Sequence, residues 1–135
     1  MSLRKHFVKS LAVASLLVVS AAIPPAVAET IASKIESQGE MTYLKVTNLR
    51  QAQRNGLINI QAEVTNEHEG QQTMYYRFRW LDASGFSVWD EEPWKPMLFH
   101  GKAKQLIQVV APTSQATDFR LVLQSPANKT TPASD

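Results

Sequence analysis

The 135-residue chain has no cysteine. That excludes a disulfide framework, a thiolate metal site, a cysteine nucleophile and a lipid-modified leader cysteine. Histidine is scarce, with three residues, and no two of them share a metal-ligand spacing. The sequence holds no Gly-x-Ser-x-Gly elbow and no Gly-x-x-x-x-Gly-Lys phosphate loop, so two common catalytic frameworks lack their parts. The longest apolar run, Leu11 to Ile23, is about 13 residues, short of the roughly 20 a membrane-spanning helix needs. There is no marked excess of one charge either: 14 Lys and Arg stand against 12 Asp and Glu. A basic footprint for nucleic acid is therefore unsupported.

Three of those cations, Arg4, Lys5 and Lys9, precede the apolar run. Pro24 and Pro25 end it, and Ala26-Val27-Ala28 offers a small-x-small cleavage pattern. Basic start, short apolar middle and small-residue end describe a secretory signal peptide. Residues 1–28 are expected to be cleaved and the remainder to reach the periplasm, with no transmembrane helix in the mature form. Without the three leader cations the mature chain would have 11 bases and 12 acids, a net charge of −1.

Residues 29–40 read as a polar, flexible lead-in with some helical character from Thr30 to Ser37. Residues 125–135, SPANKTTPASD, lack large apolar groups and are expected to form a disordered tail. Residues 41–124 carry the fold, and their dominant period is two. Ile58, Ile60, Ala62 and Val64 alternate with Asn59, Gln61, Glu63 and Thr65, as in a strand with one wet face. Asn55-Gly56 before it signals a tight hairpin, with a partner strand over Tyr43–Leu49. In Met74–Leu81, MYYRFRWL, the rings of Tyr76, Phe78 and Trp80 fall on one face. Asp82–Gly85 predicts a turn, Phe86–Trp89 a short returning strand and Met97–Phe99 an edge. Two further strands are expected over Ala103–Val110 and Asp118–Gln124. The expected fold is an all-β, immunoglobulin-like antiparallel sandwich of about seven strands. The chain leaves no room for helical crossovers, which makes parallel pairing unexpected.

Few residues suggest chemistry. His68 sits in the polar run Glu67-His68-Glu69 and His100 precedes Gly101; both read as turn residues. Asp90-Glu91-Glu92 is an acidic run at a strand end and reads as a solvated loop. Trp89 and Trp94 flank it, and exposed indoles beside carboxylates suit a sugar ring or a peptide. Trp89, Asp90, Glu91, Glu92 and Trp94 are thus the candidate interaction surface. The competing reading has both rings capping the open end of the sandwich. Arg77, Arg79 and Arg120 point away from the aromatic stripe, as a small basic patch or as partners of Glu63 or Asp118. No catalytic, metal-binding or cofactor-binding residue emerges.

The run Tyr76-Arg77-Phe78-x-Trp80-x-Asp82-x-x-Gly85, with Trp94-x-Pro96, His100-Gly101-Lys102, Val110-Ala111-Pro112 and Ala116-Thr117-x-Phe119-Arg120-Leu121, resembles the YcfL-like family of small exported bacterial proteins. The resemblance covers about Tyr43 to Gln124. It implies an immunoglobulin-type sandwich without catalytic residues. Many members are lipoproteins, and some are encoded beside an outer-membrane lipoprotein that activates peptidoglycan synthesis. The absence of cysteine means that no lipid anchor is expected here. Together these readings predict a non-enzymatic periplasmic binding or adaptor module, tied to cell-envelope assembly, whose partner is an envelope protein. The alternative is a carbohydrate-binding module that contacts glycan through exposed tryptophans.

Overall fold

The computed structural model describes residues 31–126. The expected signal peptide, and the tail from residue 127 onward, lie outside the described residues. One helical turn over residues 31–34 leads into seven strands. These are β1 (Ile35–Gln38), β2 (Leu44–Arg54), β3 (Leu57–Asn66), β4 (Gln72–Leu81), β5 (Lys95–Phe99), β6 (Lys104–Val110) and β7 (Asp118–Gln124). They form an all-β sandwich of two sheets, ordered β1-β7-β4-β5 and β2-β3-β6.

Alternation along each strand builds the core between the sheets. From the three-stranded sheet, Ile58, Ile60, Ala62, Val64 and Ile107 are buried; from the other, Met74, Phe78, Trp80, Phe119, Leu121 and Leu123. Phe78 and Trp80 stack with centroids 5.4 Å apart and planes at 15°, and Phe119 tilts against both. Removing the Trp80 ring should cost about 3–5 kcal/mol, because the hole cannot close. Tyr76 is only half-buried, and its ring lies 5.9 Å from the Lys95 ammonium at the sheet margin. The β2–β3 hairpin turns on Asn55 (φ 53°) and Gly56 (φ 76°) alone. Positive φ at both central residues is the type I′ geometry that matches strand twist.

Four expectations change. Ile35–Gln38, read as lead-in, is a strand that pairs in parallel with β7, Ile35 opposite Leu121 and Gln38 opposite Gln124. No local crossover is needed, because the whole sandwich lies between the two strands in the chain. Phe86–Trp89 is not a strand; a single bridge joins Leu81 to Ser87. Leu81 and Val122 alternate outward yet are buried, Val122 being flanked in register by Glu36 and Arg77. Ser125, assigned to the tail, is buried, and its hydroxyl donates to the Thr73 carbonyl at 2.5 Å.

Candidate functional site

β4 is longer than the strand beside it. β5 reaches only to Lys95, opposite Tyr76, so Phe78 and Trp80 lack a strand neighbour on that side. The β4–β5 connection covers the gap. Asp82 starts it: its Oδ1 accepts from the N–H groups of Ser84 and Phe86, both at 2.9 Å, and Gly85 turns the chain at φ +84°, a conformation that costs glycine little. The Val88 N–H then donates to the Trp80 carbonyl at 3.0 Å.

Glu92 completes the cover. Its Oε1 accepts from the Phe78 N–H at 3.1 Å and its Oε2 from the Trp80 indole N–H at 3.2 Å. One carboxylate therefore replaces the missing strand and satisfies a buried indole, whose N–H needs a partner. The acidic run is not uniformly solvated, as the sequence suggested; its last member is a structural acceptor.

The other residues of the connection sit over the outer face of the four-stranded sheet. Glu91 pairs with Arg77 at 2.6 Å. The Arg77 guanidinium also lies 4.1 Å from the centroid of Trp94, a cation–π distance. Trp94 is thus tied down beside Arg77 rather than capping the core. Trp89 is 48% exposed and Phe86, three residues earlier, 71% exposed. Between this loop and the sheet lies a cleft of about 320 Å³, lined by Trp89, Asp90, Glu91, Arg77, Arg79 and Glu36 among others. Of the five residues expected to form a surface, the structure brings Trp89, Asp90 and Glu91 together at the cleft; Glu92 and Trp94 hold it in place from behind.

The basic patch is largely neutralised. Arg79 pairs with Glu36 of β1. Arg120 donates to Asp118 at 3.0 Å, and Lys34 pairs with the same carboxylate. Burial pushes the Asp118 carboxyl up, but hydrogen bonds from Lys34, the Phe119 N–H and Arg120 outweigh it and hold the pKa below the ordinary value. Glu63 instead accepts from the Thr47 hydroxyl at 2.7 Å. Sequence reasoning missed Glu36, hidden in an apparent lead-in, and Phe86, assigned to a strand. A large ring directly after the turn Asp82–Gly85 was the available signal for Phe86.

His68 and His100 belong to the opposite end of β4. The side-chain Nδ2 of buried Asn66 donates to the carbonyls of Gly70 and His100, both at 3.0 Å, and its Oδ1 accepts from the His68 N–H at 3.0 Å. The His68 ring packs on Tyr43 with centroids 4.3 Å apart, and its Nδ1 accepts from the Gly70 N–H at 2.9 Å. These contacts build turns. Among the described residues no three His, Asp or Glu side chains converge to hold a metal ion.

A family model described as a protein of unknown function, DUF1425, matches residues 31–125. The chain belongs to the DUF1425 family. Two solved structures share its fold. The crystal structure of Campylobacter jejuni cj0090 superposes with a TM-score of 0.59 at 18% identity, covering 68% of this chain and 97% of that one. A DUF1425 family member from Shewanella sp. pv-4 superposes with a TM-score of 0.55 at 23% identity, covering 64% of this chain and 82% of that one. No curated protein matches. The family model begins at the helical turn before β1 and ends at Ser125, so in this DUF1425 chain both terminal strands, and the Glu36 that reaches the cleft, fall within the family's own span. Among the described residues no helix is long and apolar enough to cross a membrane.

Proposed function

We propose that this DUF1425 chain is a non-enzymatic binding module of the bacterial cell envelope that holds a protein partner at the cleft beside Trp89. The observation that carries this reading is the exposed Trp89 at a cleft whose floor is already ion-paired, with the exposed Phe86 three residues away on the same loop. Aromatic side chains of this kind act as interface anchors, with a charged rim that fixes orientation. Export to the periplasm is supported by the three-part leader, Met1 to Ala28. The resemblance of the motifs over Tyr76–Gly85 and His100–Lys102 to the YcfL-like family supports a role in envelope assembly. A lipid anchor is not part of the proposal, because the chain has no cysteine.

A second reading rests on Asp90 and Glu91, which line the cleft together with Trp89. An indole face beside two hydroxyl-accepting carboxylates suits a sugar ring, and the module would then bind envelope glycan.

The test is a photocrosslinker placed at Trp89 in intact cells, read by mass spectrometry, alongside co-sedimentation with purified peptidoglycan. A specific protein adduct, lost when Asp90 and Glu91 are neutralised, supports the first reading. Saturable sedimentation abolished by Trp89→Ala supports the second. Neither result, with the fold intact, would sink both.

A further inference from the structure

A β-sandwich exposes four sheet edges, and each presents unpaired backbone groups to any strand that fits. Three edges of this molecule are blunted. β1 has only four residues. β5 has five and includes Pro96, which has no N–H to offer. β2 is long but broken by a register shift between Val46 and Asn48, and it carries Lys45, Arg50 and Arg54. The fourth edge, β6, has none of these devices beyond its first residue, Lys104. Between Lys104 and Pro112 the sequence Gln105–Ala111 has no charge, no proline and no glycine, and its register with β3 is unbroken over seven pairs.

The backbone bonds show which groups of β6 are free. Ala103 accepts from the Asn66 N–H at 2.9 Å and Ala111 donates to Ile58 at 2.8 Å. In an antiparallel ladder, bonded and non-bonded positions alternate. The odd-numbered residues of β6 therefore face β3, while the N–H and C=O of Leu106, Gln108 and Val110 point away from the sheet. The side chains of those three residues share the outer face, with Leu106 50% and Val110 51% exposed.

We infer that β6 pairs antiparallel with β6 of a second copy, with Gln108 on the two-fold axis. The sequence is self-complementary in that register. Leu106 lies opposite Val110 of the second copy, and Val110 opposite its Leu106. Both exposed apolar side chains find apolar neighbours, and each Gln108 amide meets its own image. The Lys104 ammonium groups end up at opposite ends of the shared ladder, away from each other. Pro112 and the β5–β6 turn bound the pairing at its two ends. The result is a six-stranded sheet, ordered β2-β3-β6-β6-β3-β2, with the two Trp89 clefts on the outer sheets. A heterologous strand could use the same edge, but nothing would require it to place apolar groups opposite both Leu106 and Val110. The inference uses the sheet opposite the Trp89 cleft and stands apart from the proposed function.

The absence of native cysteine makes a direct test clean. In a bonded antiparallel pair the Cα atoms lie about 5.5 Å apart, within the range a disulfide bridges. Gln108→Cys should give a disulfide-linked dimer on mild oxidation. Ala52→Cys, exposed on β2, should stay monomeric under the same conditions. Sedimentation of the unmodified purified chain should show the dimer mass, with a population that rises with concentration. Gln108→Pro removes an N–H that the monomer does not use, and should weaken the dimer by about tenfold or more with the β-sheet circular dichroism unchanged. Leu106→Lys repeats that test without altering the backbone. A chain that sediments as a monomer throughout, or equal crosslinking at positions 52 and 108, overturns the inference.

Discussion

The two ends of β4 treat their loops in opposite ways. At its start, Asn66 is fully buried and binds three backbone groups from two loops. Gly101 approaches so closely that an added Cβ would overlap the Glu69 carbonyl oxygen. At its finish, the connection over residues 82–94 is fastened by Asp82, Val88 and Glu92 and by Glu91 and Trp94 against Arg77, yet leaves two aromatic rings in solvent. Buried hydrogen bonds are costly to break because the partners stay desolvated. Exposed rings cost little to change in the free molecule, and their value lies in what they meet. The first end is built for stability; in the proposed function the second is the contact end.

The largest expected effects lie at the clamped end. Asn66→Ala should destabilise by about 3 kcal/mol: it takes the partner from the Gly70 carbonyl and the His68 N–H and leaves the His100 carbonyl only the Ala103 N–H. That corresponds to a fall in Tm on the order of 12–24 °C for a domain of this size. Gly101→Ala should do comparable damage, since backbone on both sides must move. If either variant melts like the parent, the contrast between the two ends fails.

Glu92→Ala should cost about 2 kcal/mol by orphaning the Phe78 N–H and the Trp80 indole, read by denaturant unfolding with tryptophan fluorescence. Glu92→Gln should recover only part of this, because its NH₂ turns a donor toward a donor. The expected ordering, Asn66 above Glu92, sharpens the comparison: the acidic fastening is firm but partly wet.

Asp118, opposite Leu81 in the sheet, adds a pH dependence at the contact end. Its pKa in the fold is lowered from 3.8. A depressed carboxyl contributes stability that is present above its unfolded value and lost as pH falls through its folded value. The acid limb of a stability–pH profile should therefore be shallower below pH 3.8 in Asp118→Asn, with lower stability at neutral pH. An unchanged acid limb would remove Asp118 from the account.

Trp89→Ala should have the smallest effect on folding, within about 0.5 kcal/mol, and the largest on partner capture. A large loss of stability would show that Trp89 caps the sandwich after all.

Much of the framework was visible as a linear pattern. Period two over Ile58–Val64 and Met74–Trp80 named the inward faces, because strand side chains alternate wherever they lie. Asn55-Gly56 named its hairpin, because few residue pairs tolerate two positive φ values. Asp118–Gln124 appeared with its observed bounds. The cleft was half legible. Trp89 stood out by its neighbours, yet Glu36, on the far side of β7 from Arg79, is 43 residues from it in sequence.

What the chain order alone determined is local: which segments extend, which faces are apolar, where the backbone must turn. Local sterics and a repeat of two operate within a few residues, and a sequence displays them directly. Only the assembled sandwich decided the rest. β1 reads as polar lead-in until β7 offers it a hydrogen-bonding edge. Glu92 reads as one acid in three until β5 proves too short to cover Phe78 and Trp80. In both cases a distant backbone leaves donors or acceptors without partners, and no window of neighbouring residues records which groups those are.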